Sequence, residues 1–244
     1  MEDALYTGGG YLERNPDWHA ADSPFKARQV LRMLERNGLR PATVAEVGSG
    51  AGAILRELHD ALGPDVRYVG YEVSPQAHEL AKPREAERLR FELADLTTLD
   101  LHFDLLLVLD VIEHLEDHHA FLRAIRAKAD RTIFHVPLDL SVQTVLRAGL
   151  LPLKREEVGH LHYFSRETAL ATLRECGYEV LDEFFTAGSL ELRPGSRKAW
   201  VARVPRRLLA AASEAWAARL LGGFSLLALA RPVGASGTSR TPSA

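Results

Sequence analysis

A Rossmann-like α/β fold, a parallel sheet with helices on both faces, is expected from three features of the 244-residue chain. In the stretch TVAEVGSGAGA, residues 43–53, a short β-favouring run meets closely spaced glycines and then residues at helical spacing, which reads as strand, turn and helix. Residues 104–109, DLLLVL, form an unbroken apolar run, as a central parallel strand covered on both faces requires. Strand patterns then alternate with helical ones along most of the chain, the signature of successive βαβ units.

In chain order, Ser23 and Pro24 suit an N-cap and first helical position, Phe25, Val30, Leu31 and Leu34 give one stripe, and Gly38 ends the helix. RYVGYE closes a second strand at Glu72, a short helix runs from Pro75 to near Pro83, and Leu89, Phe91 and Leu93 alternate toward Asp95. After the fourth strand, Ala120, Leu122 and Ile125 mark a helix that His118 and His119 open from the solvent side, and TIFHV at 132–136 is a fifth strand. Residues 138–164 read as an insertion walling a pocket, Ser165 caps the next helix, and Tyr178 to Phe185 is a sixth strand. Pro205 is expected to open an Ala-rich helix with Leu209, Ala212, Trp216 and Leu220 on its apolar stripe, before a last strand from Phe224 to Ala230. This divides the chain into an N-terminal lid and helix (1–40), the main domain (41–231) and a disordered tail (232–244).

Composition bounds the function. Apolar residues make up 46% and charged residues 26%, the balance of a soluble globular protein, and one cysteine excludes an internal disulfide or a cysteine metal cluster. An acidic start without an apolar run and the absence of a span-length apolar segment point to a cytoplasmic protein with no membrane span. Net charge is −3, yet residues 192–244 carry nine basic residues against Glu214, a local surplus of +8. If the acceptor or partner is anionic, Arg203, Arg206 and Arg207 are the residues to meet it; otherwise they form a solvated surface.

The glycine turn is where a parallel sheet binds a nucleotide-like cofactor, because the backbone comes close there and a helix offers unpaired N–H groups. Gly48, Gly50 and Ala53 also satisfy the dinucleotide fingerprint, with Glu72 placed for a ribose. Charge separates the readings. Glu46, Glu72 and Asp95 gather three acids at one pocket, which repels a pyrophosphate and suits S-adenosylmethionine (SAM), with its sulfonium, ammonium, ribose diol and adenine amine.

EVGSGAG at 46–52, YEVSP at 71–75, ADL at 94–96 and LDVIEHL at 109–115 together resemble, in order, the cofactor motifs of class I SAM-dependent methyltransferases, over roughly residues 40 to 231. The DVIEHL piece and HLHYFS at 160–165 are similar to the subgroup with the ubiquinone-pathway O-methyltransferases and many small-molecule methyltransferases. The resemblance implies a seven-stranded sheet of order 3-2-1-4-5-7-6 whose last strand is antiparallel, and an N-terminal lid in which Tyr11, Trp18, His19 and Lys26 could line the site.

It also implies roles. Glu46, Gly48, Ser49, Gly50 and Gly52 would surround the methionine part of SAM, Glu72 would accept from the ribose with Val73 beside it, Asp95 and Leu96 would meet the adenine, and Asp110 and Val111 would lie under the methionine. His114, His160 and His162 are the expected acceptor-side catalytic residues, whereas His135, alone in a strand, reads as a packed residue. No metal is expected, although relatives with a similar acid-x-x-Glu-His cluster bind a divalent ion, for which Asp110, Glu113 and His114 are the alternative ligands. The expected activity is methyl transfer from SAM to a small molecule, at a hydroxyl oxygen. The alternatives are a non-catalytic SAM-binding partner of the same fold, and a nicotinamide oxidoreductase, which the acids disfavour. Nucleic acid is not expected as a substrate, since no base-flipping motif follows the fourth strand; the acceptor and the oligomeric state stay open.

Overall fold

The computed structural model describes residues 22–63, 65–191 and 197–234. Tyr11, Trp18 and His19 of the expected lid, and the tail from residue 235, lie outside them. Helix α1 (Ser23–Arg36) precedes β1 (Thr43–Val47), α2 (Ala53–Leu62), β2 (Arg67–Glu72), α3 (Pro75–Ala81), β3 (Leu89–Leu93) and β4 (Phe103–Leu109). Then come α4 (His118–Ile125), β5 (Ala129–Pro137), α5 (Val142–Leu146), α6 (Leu150–Val158), α7 (Arg166–Glu175) and β6 (Tyr178–Thr186). The short α8 (Gly188–Glu191), α9 (Arg197–Ala212), α10 (Glu214–Leu221) and β7 (Ser225–Pro232) are the remaining α-helices and strands among the described residues. Among the described residues no helix is long and apolar enough to cross a membrane.

The seven strands pair in the order β3-β2-β1-β4-β5-β7-β6. β1 to β5 are mutually parallel where they pair, and β7 runs antiparallel to both β5 and β6. The order reverses between β1 and β4, so the chain leaves these neighbouring strands toward opposite faces and opens a crevice at their carboxyl ends.

β4 shows why its apolar run is unbroken. Leu105, Leu107 and Leu109 pack on one face with Val30, Met33 and Leu34 of α1 and Leu55 and Leu58 of α2. Leu106 and Val108 pack on the other with Leu122 and Ile125 of α4, Leu170 and Leu173 of α7 and Ala217 and Ala218 of α10. Strand alternation thus feeds two helical layers at once.

Three expectations are corrected here. The Ala-rich segment is two helices: α9 begins at Arg197 and carries Pro205 in its interior, and Ser213 caps α10 by accepting from the Trp216 N–H. The break rotates the second half, so Ala217 and Ala218 face the core and Trp216 is 55% exposed. The last strand also runs on to Pro232, inside the stretch expected as tail. His118 is buried, because its ring packs between His162 (4.3 Å between centroids) and Phe164 (5.7 Å).

Gly52 is the N-cap of α2 at φ 75°, and a Cβ placed there would lie 2.4 Å from Cζ of the buried Phe91. Gly38 has a similar φ of 61° with open space around it. Gly38→Ala should therefore cost only left-handed strain, about 1–2 kcal/mol, while Gly52→Ala adds overpacking of about 1–3 kcal/mol. Urea unfolding of both variants measures the difference, and equal losses would contradict the Phe91 contact.

Candidate active site

The glycine loop is pinned from β2. Gly48 and Ser49 donate backbone N–H groups to the Tyr71 carbonyl at 2.9 and 3.2 Å, and Gly50 N–H donates to Glu72 Oε2 at 2.8 Å. Glu72 Oε1 accepts from the N–H groups of Val73 and Ser74 at 2.9 and 2.8 Å. Burial pushes the Glu72 carboxyl up against the pull of these three donors. Ser49 is buried with its Oγ unpartnered, and Val111 reaches to 3.0 Å from where a Cβ on Gly48 would sit. Of the other expected cofactor residues, Val73 is 52% exposed beside the β2 end, Asp95 is exposed and accepts from Thr97 N–H at 2.8 Å, and Leu96 is core.

Between this loop, the ends of β4 and β5 and the α5–α6 segment lies a cavity of about 590 Å³. Glu46, Gly48, Ser49 and Gly50 line it, while Glu72, Val73, Asp95 and Leu96 lie outside its lining. Glu46 is 2% exposed and its Oε2 has no hydrogen-bond partner. Burial pushes its carboxyl up to about 8, with Lys26 pulling weakly the other way.

Asp110, just past β4, adopts φ 55°, a conformation a non-glycine residue needs a reason to hold. The reason is a pair of contacts: Lys26 Nζ lies 2.6 Å from Oδ2 and His135 Nδ1 2.6 Å from Oδ1. Burial opposes the Asp110 charge, but His135 and Lys26 outweigh it and hold the carboxyl well below the usual range. Burial likewise works against the Lys26 ammonium, and Asp110 more than compensates, raising it. His135 Nε2 meets Thr186 Oγ1 at 2.8 Å, so the network runs from α1 through β4 and β5 to β6. His135, expected as packing, lines the cavity. Asp110, expected under the methionine part of the cofactor, lines the cavity as well and holds two side chains.

A second cluster stands beside it. Glu113 is fully buried and neither carboxylate oxygen has a hydrogen-bond partner. Burial, then the nearby Asp110 charge, push its carboxyl well up. His114 Nδ1 lies 3.2 Å from the Gly159 carbonyl, and its Nε2 lies 3.9 Å from Glu113 Oε1. Burial and then His160 lower the His114 imidazole to about 4. His160 Nδ1 lies 2.5 Å from Asp139 Oδ2, and its ring meets that of His114 edge-on at 4.9 Å. Asp139 is held below the usual carboxylate range, since His160 and Lys154 outweigh the effect of its burial. One ligand atom each from Glu113, His114 and His160 fall within 4.8 Å of one another. Asp110 is not of this group.

The three expected histidines part company. His114 and His160 line the cavity, whereas His162 does not, because Nε2 bonds the Leu115 carbonyl at 2.9 Å and its ring packs on His118. The Lys26–Asp110–His135 contacts and Asp139 were missed by sequence reasoning. Pro137 at the end of β5 and Asp139 just past it were the available signal, since strand ends at the crevice are where such sheets place site residues.

Residues 18–183, about two thirds of the chain, match the family described as Methyltransferase domain. No curated protein matches the sequence. Among solved structures, the chain is similar to one in the complex between the Haloferax volcanii Trm112 methyltransferase activator and its methyltransferase, at 16% identity and TM-score 0.66, covering 96% of this chain and 98% of that one. It is similar to the plantazolicin methyltransferase BpumL, at 13% identity and TM-score 0.59, covering 95% and 93%. It is also similar to the magnesium protoporphyrin IX methyltransferase of Synechocystis PCC 6803, at 17% identity and TM-score 0.57, covering 85% and 82%. The chain therefore belongs to the methyltransferase-domain family and has the fold of the class I SAM-dependent methyltransferases.

Proposed function

We propose that the protein is a SAM-dependent methyltransferase that methylates a small-molecule acceptor at a hydroxyl oxygen. The observation that carries the cofactor is Glu46, a buried carboxylate with an unpartnered oxygen, facing the cavity beside the glycine loop. The ammonium of SAM favours the ionised form of Glu46, whereas the phosphates of a dinucleotide oppose it. Two solved structures of similar fold, the magnesium protoporphyrin IX methyltransferase and the N-methyltransferase NodS of Bradyrhizobium japonicum WM9, were crystallised with S-adenosylhomocysteine (SAH).

When bound, SAM supplies a methyl group on a sulfonium, ready for in-line displacement by a nucleophile. On this reading Gly48, Ser49, Gly50 and Gly52 let the backbone approach the methionine part, and Val111 shapes the loop from below. Glu72 takes the ribose hydroxyls while holding the loop, and Val73, Asp95 and Leu96 form the adenine side. Asp110 fixes Lys26 and His135 in the cavity wall. The ionised Asp139 favours His160 with its proton on Nδ1, which leaves Nε2 as the atom that takes the acceptor's hydroxyl proton. His160→Ala should lower kcat about 10²–10⁴-fold, whereas His162→Ala should lower stability and leave kcat near wild type. Steady-state kinetics on the acceptor found by screening with labelled SAM separates the two.

Titration gives the cofactor its own test. Glu46 binds a proton near neutral pH in the free protein, and a neighbouring ammonium favours its charged form. SAM binding should therefore release a proton, and affinity should rise as pH goes from 6 toward 8. Glu46→Gln should weaken binding by about 1.5–3 kcal/mol and flatten that pH dependence. Calorimetry in buffers of different ionisation enthalpy reads both; a wild type whose affinity is flat across this window would remove Glu46 from the cofactor site.

A second reading is favoured by the unpartnered Glu113 carboxylate between His114 and His160. A divalent ion fits this set: each ring is oriented through Nδ1, by Gly159 O and Asp139, in the way metal-bound histidines usually are. Two nitrogens and one carboxylate suit zinc, manganese or iron better than magnesium. Such an ion would supply Lewis-acid stabilisation of an acceptor oxygen. Chelated protein that loses activity and recovers it with Mn²⁺ or Zn²⁺, together with a metal-induced rise in Tm that Glu113→Gln abolishes, supports it. Full activity after chelation and an unmoved Tm overturn it.

A further inference from the structure

The end of the cavity away from the glycine loop is closed by α5, the start of α6, α9 and the turn after α10, and two guanidinium groups meet there. Arg206 on α9 donates from Nε to the Gly222 carbonyl at 3.1 Å and from Nη2 to the Leu221 carbonyl at 3.1 Å. Arg147, just past α5, is held by Gln143: with the amide nitrogen donating to Leu221 O at 2.7 Å, the amide oxygen accepts from Arg147 Nη1 at 3.0 Å. All three side chains line the cavity.

These fixings use neutral acceptors only. Among the described residues neither Arg147 nor Arg206 forms an ion pair, although Arg36, Arg56, Arg166, Arg219 and Arg231 all do. Lys154 on the same wall is already committed to Asp139 at 3.4 Å. Burial and then the Arg147 charge both disfavour the Arg206 cation. Two like charges held on one wall of a cavity, each oriented by hydrogen bonds and neither neutralised, form a fork complementary to a carboxylate or phosphate. Among the described basic residues of 192–244, Arg206 faces the cavity while Arg207 is exposed.

We propose that Arg147 and Arg206 bind an anionic group, a carboxylate or phosphate, carried by the methyl acceptor. Calling the ligand the acceptor rests on the methyltransferase reading above; the anion site itself does not. With its anion anchored here, the rest of the acceptor extends along the cavity toward His160 and Glu113, whose burial suits an uncharged, partly apolar body.

The experiment follows the arginine Nε–Hε resonances of the full chain while inorganic phosphate or benzoate is added at constant ionic strength. Arg206 should shift saturably, half-maximally on the order of 1 mM for the better probe, while Arg36 and Arg231, already paired with carboxylates, stay still. Arg147→Met, a change at an exposed position, should raise the half-saturating concentration about tenfold or more; Arg206→Lys should also weaken binding while keeping the charge. The probe that saturates first identifies the carboxylate or phosphate class. A linear response, or one shared equally by Arg36 and Arg231, overturns the proposal. SAH binding to the same sample by calorimetry keeps the two readings apart. SAH without anion binding sinks only the anion site, and anion without SAH binding sinks only the methyltransferase reading.

Discussion

The charge on Asp110 is the constraint on which the cavity depends. Lys26 is an ammonium taken out of water, which is tolerable only with a partner, and the partner sits at the end of β4, far along the chain. Asp110 meets it by adopting a left-handed backbone that costs about 1–3 kcal/mol, and the same twist presents its other oxygen to His135. One carboxylate thereby fixes α1 against β4 and β5, and through Thr186 against β6. Removing it would strand a buried cation, a loss of about 3–5 kcal/mol. α1 is for this reason a part of the cavity wall.

Lys26 is also what leaves the other two acids hungry. Its charge is drawn mainly to Asp110, so its pull on Glu46 and Glu113 does not offset their burial, and both carboxyls rise. At rest the floor of the cavity therefore holds acids that keep their protons for want of a cation. A ligand bringing positive charge is bound at the moment it lets such an acid ionise, which couples recognition to proton release. A phosphate gains nothing from this arrangement. Of the three acids that separated the two cofactor readings in the sequence, Glu46 lines the cavity, while Glu72 holds the glycine loop and Asp95 is exposed and caps a turn, so the argument rests on Glu46.

What was legible in the sequence was what is local. Strand, glycine turn and helix at 43–62 follow from neighbouring residues, and the two-faced burial of β4 follows from its unbroken apolar run. The antiparallel insertion of β7 came with the family resemblance, since no local pattern specifies which strands a segment pairs with. Periodicity ran through Ser213 because alanines satisfy a helical stripe on any face, and only the Ser213–Glu214 cap betrays the break. His118 was misread because burial of a helix-opening histidine depends on a partner 44 residues away, His162. In the site, the glycine loop was readable, but contacts such as Lys26 with Asp110, His160 with Asp139 and Arg206 with the Gly222 carbonyl join residues that no spacing rule connects.

Charge is distributed along the cavity with a direction. At one end an unpartnered carboxylate, Glu46, seeks a cation beside the glycine loop; at the other, two unneutralised guanidiniums seek an anion; between them stand His114, His160 and Glu113. The guanidiniums attract an anion to their end, while Glu46 ionises as a cation reaches it, so the two ends select ligands of opposite charge. In-line transfer depends chiefly on holding donor and nucleophile at contact distance and correct angle, and binding at both far ends achieves this without an anchoring charge of the protein at the reacting atoms. The midpoint, where Glu113 and His160 are buried, can then remain water-poor, with a neutral imidazole as proton acceptor. Burial that lowers His114 to about 4 keeps that ring uncharged at neutral pH, so the same exclusion of water that makes Glu46 and Glu113 costly to ionise leaves no imidazolium beside His160, the ring that takes the proton where the two ligands meet.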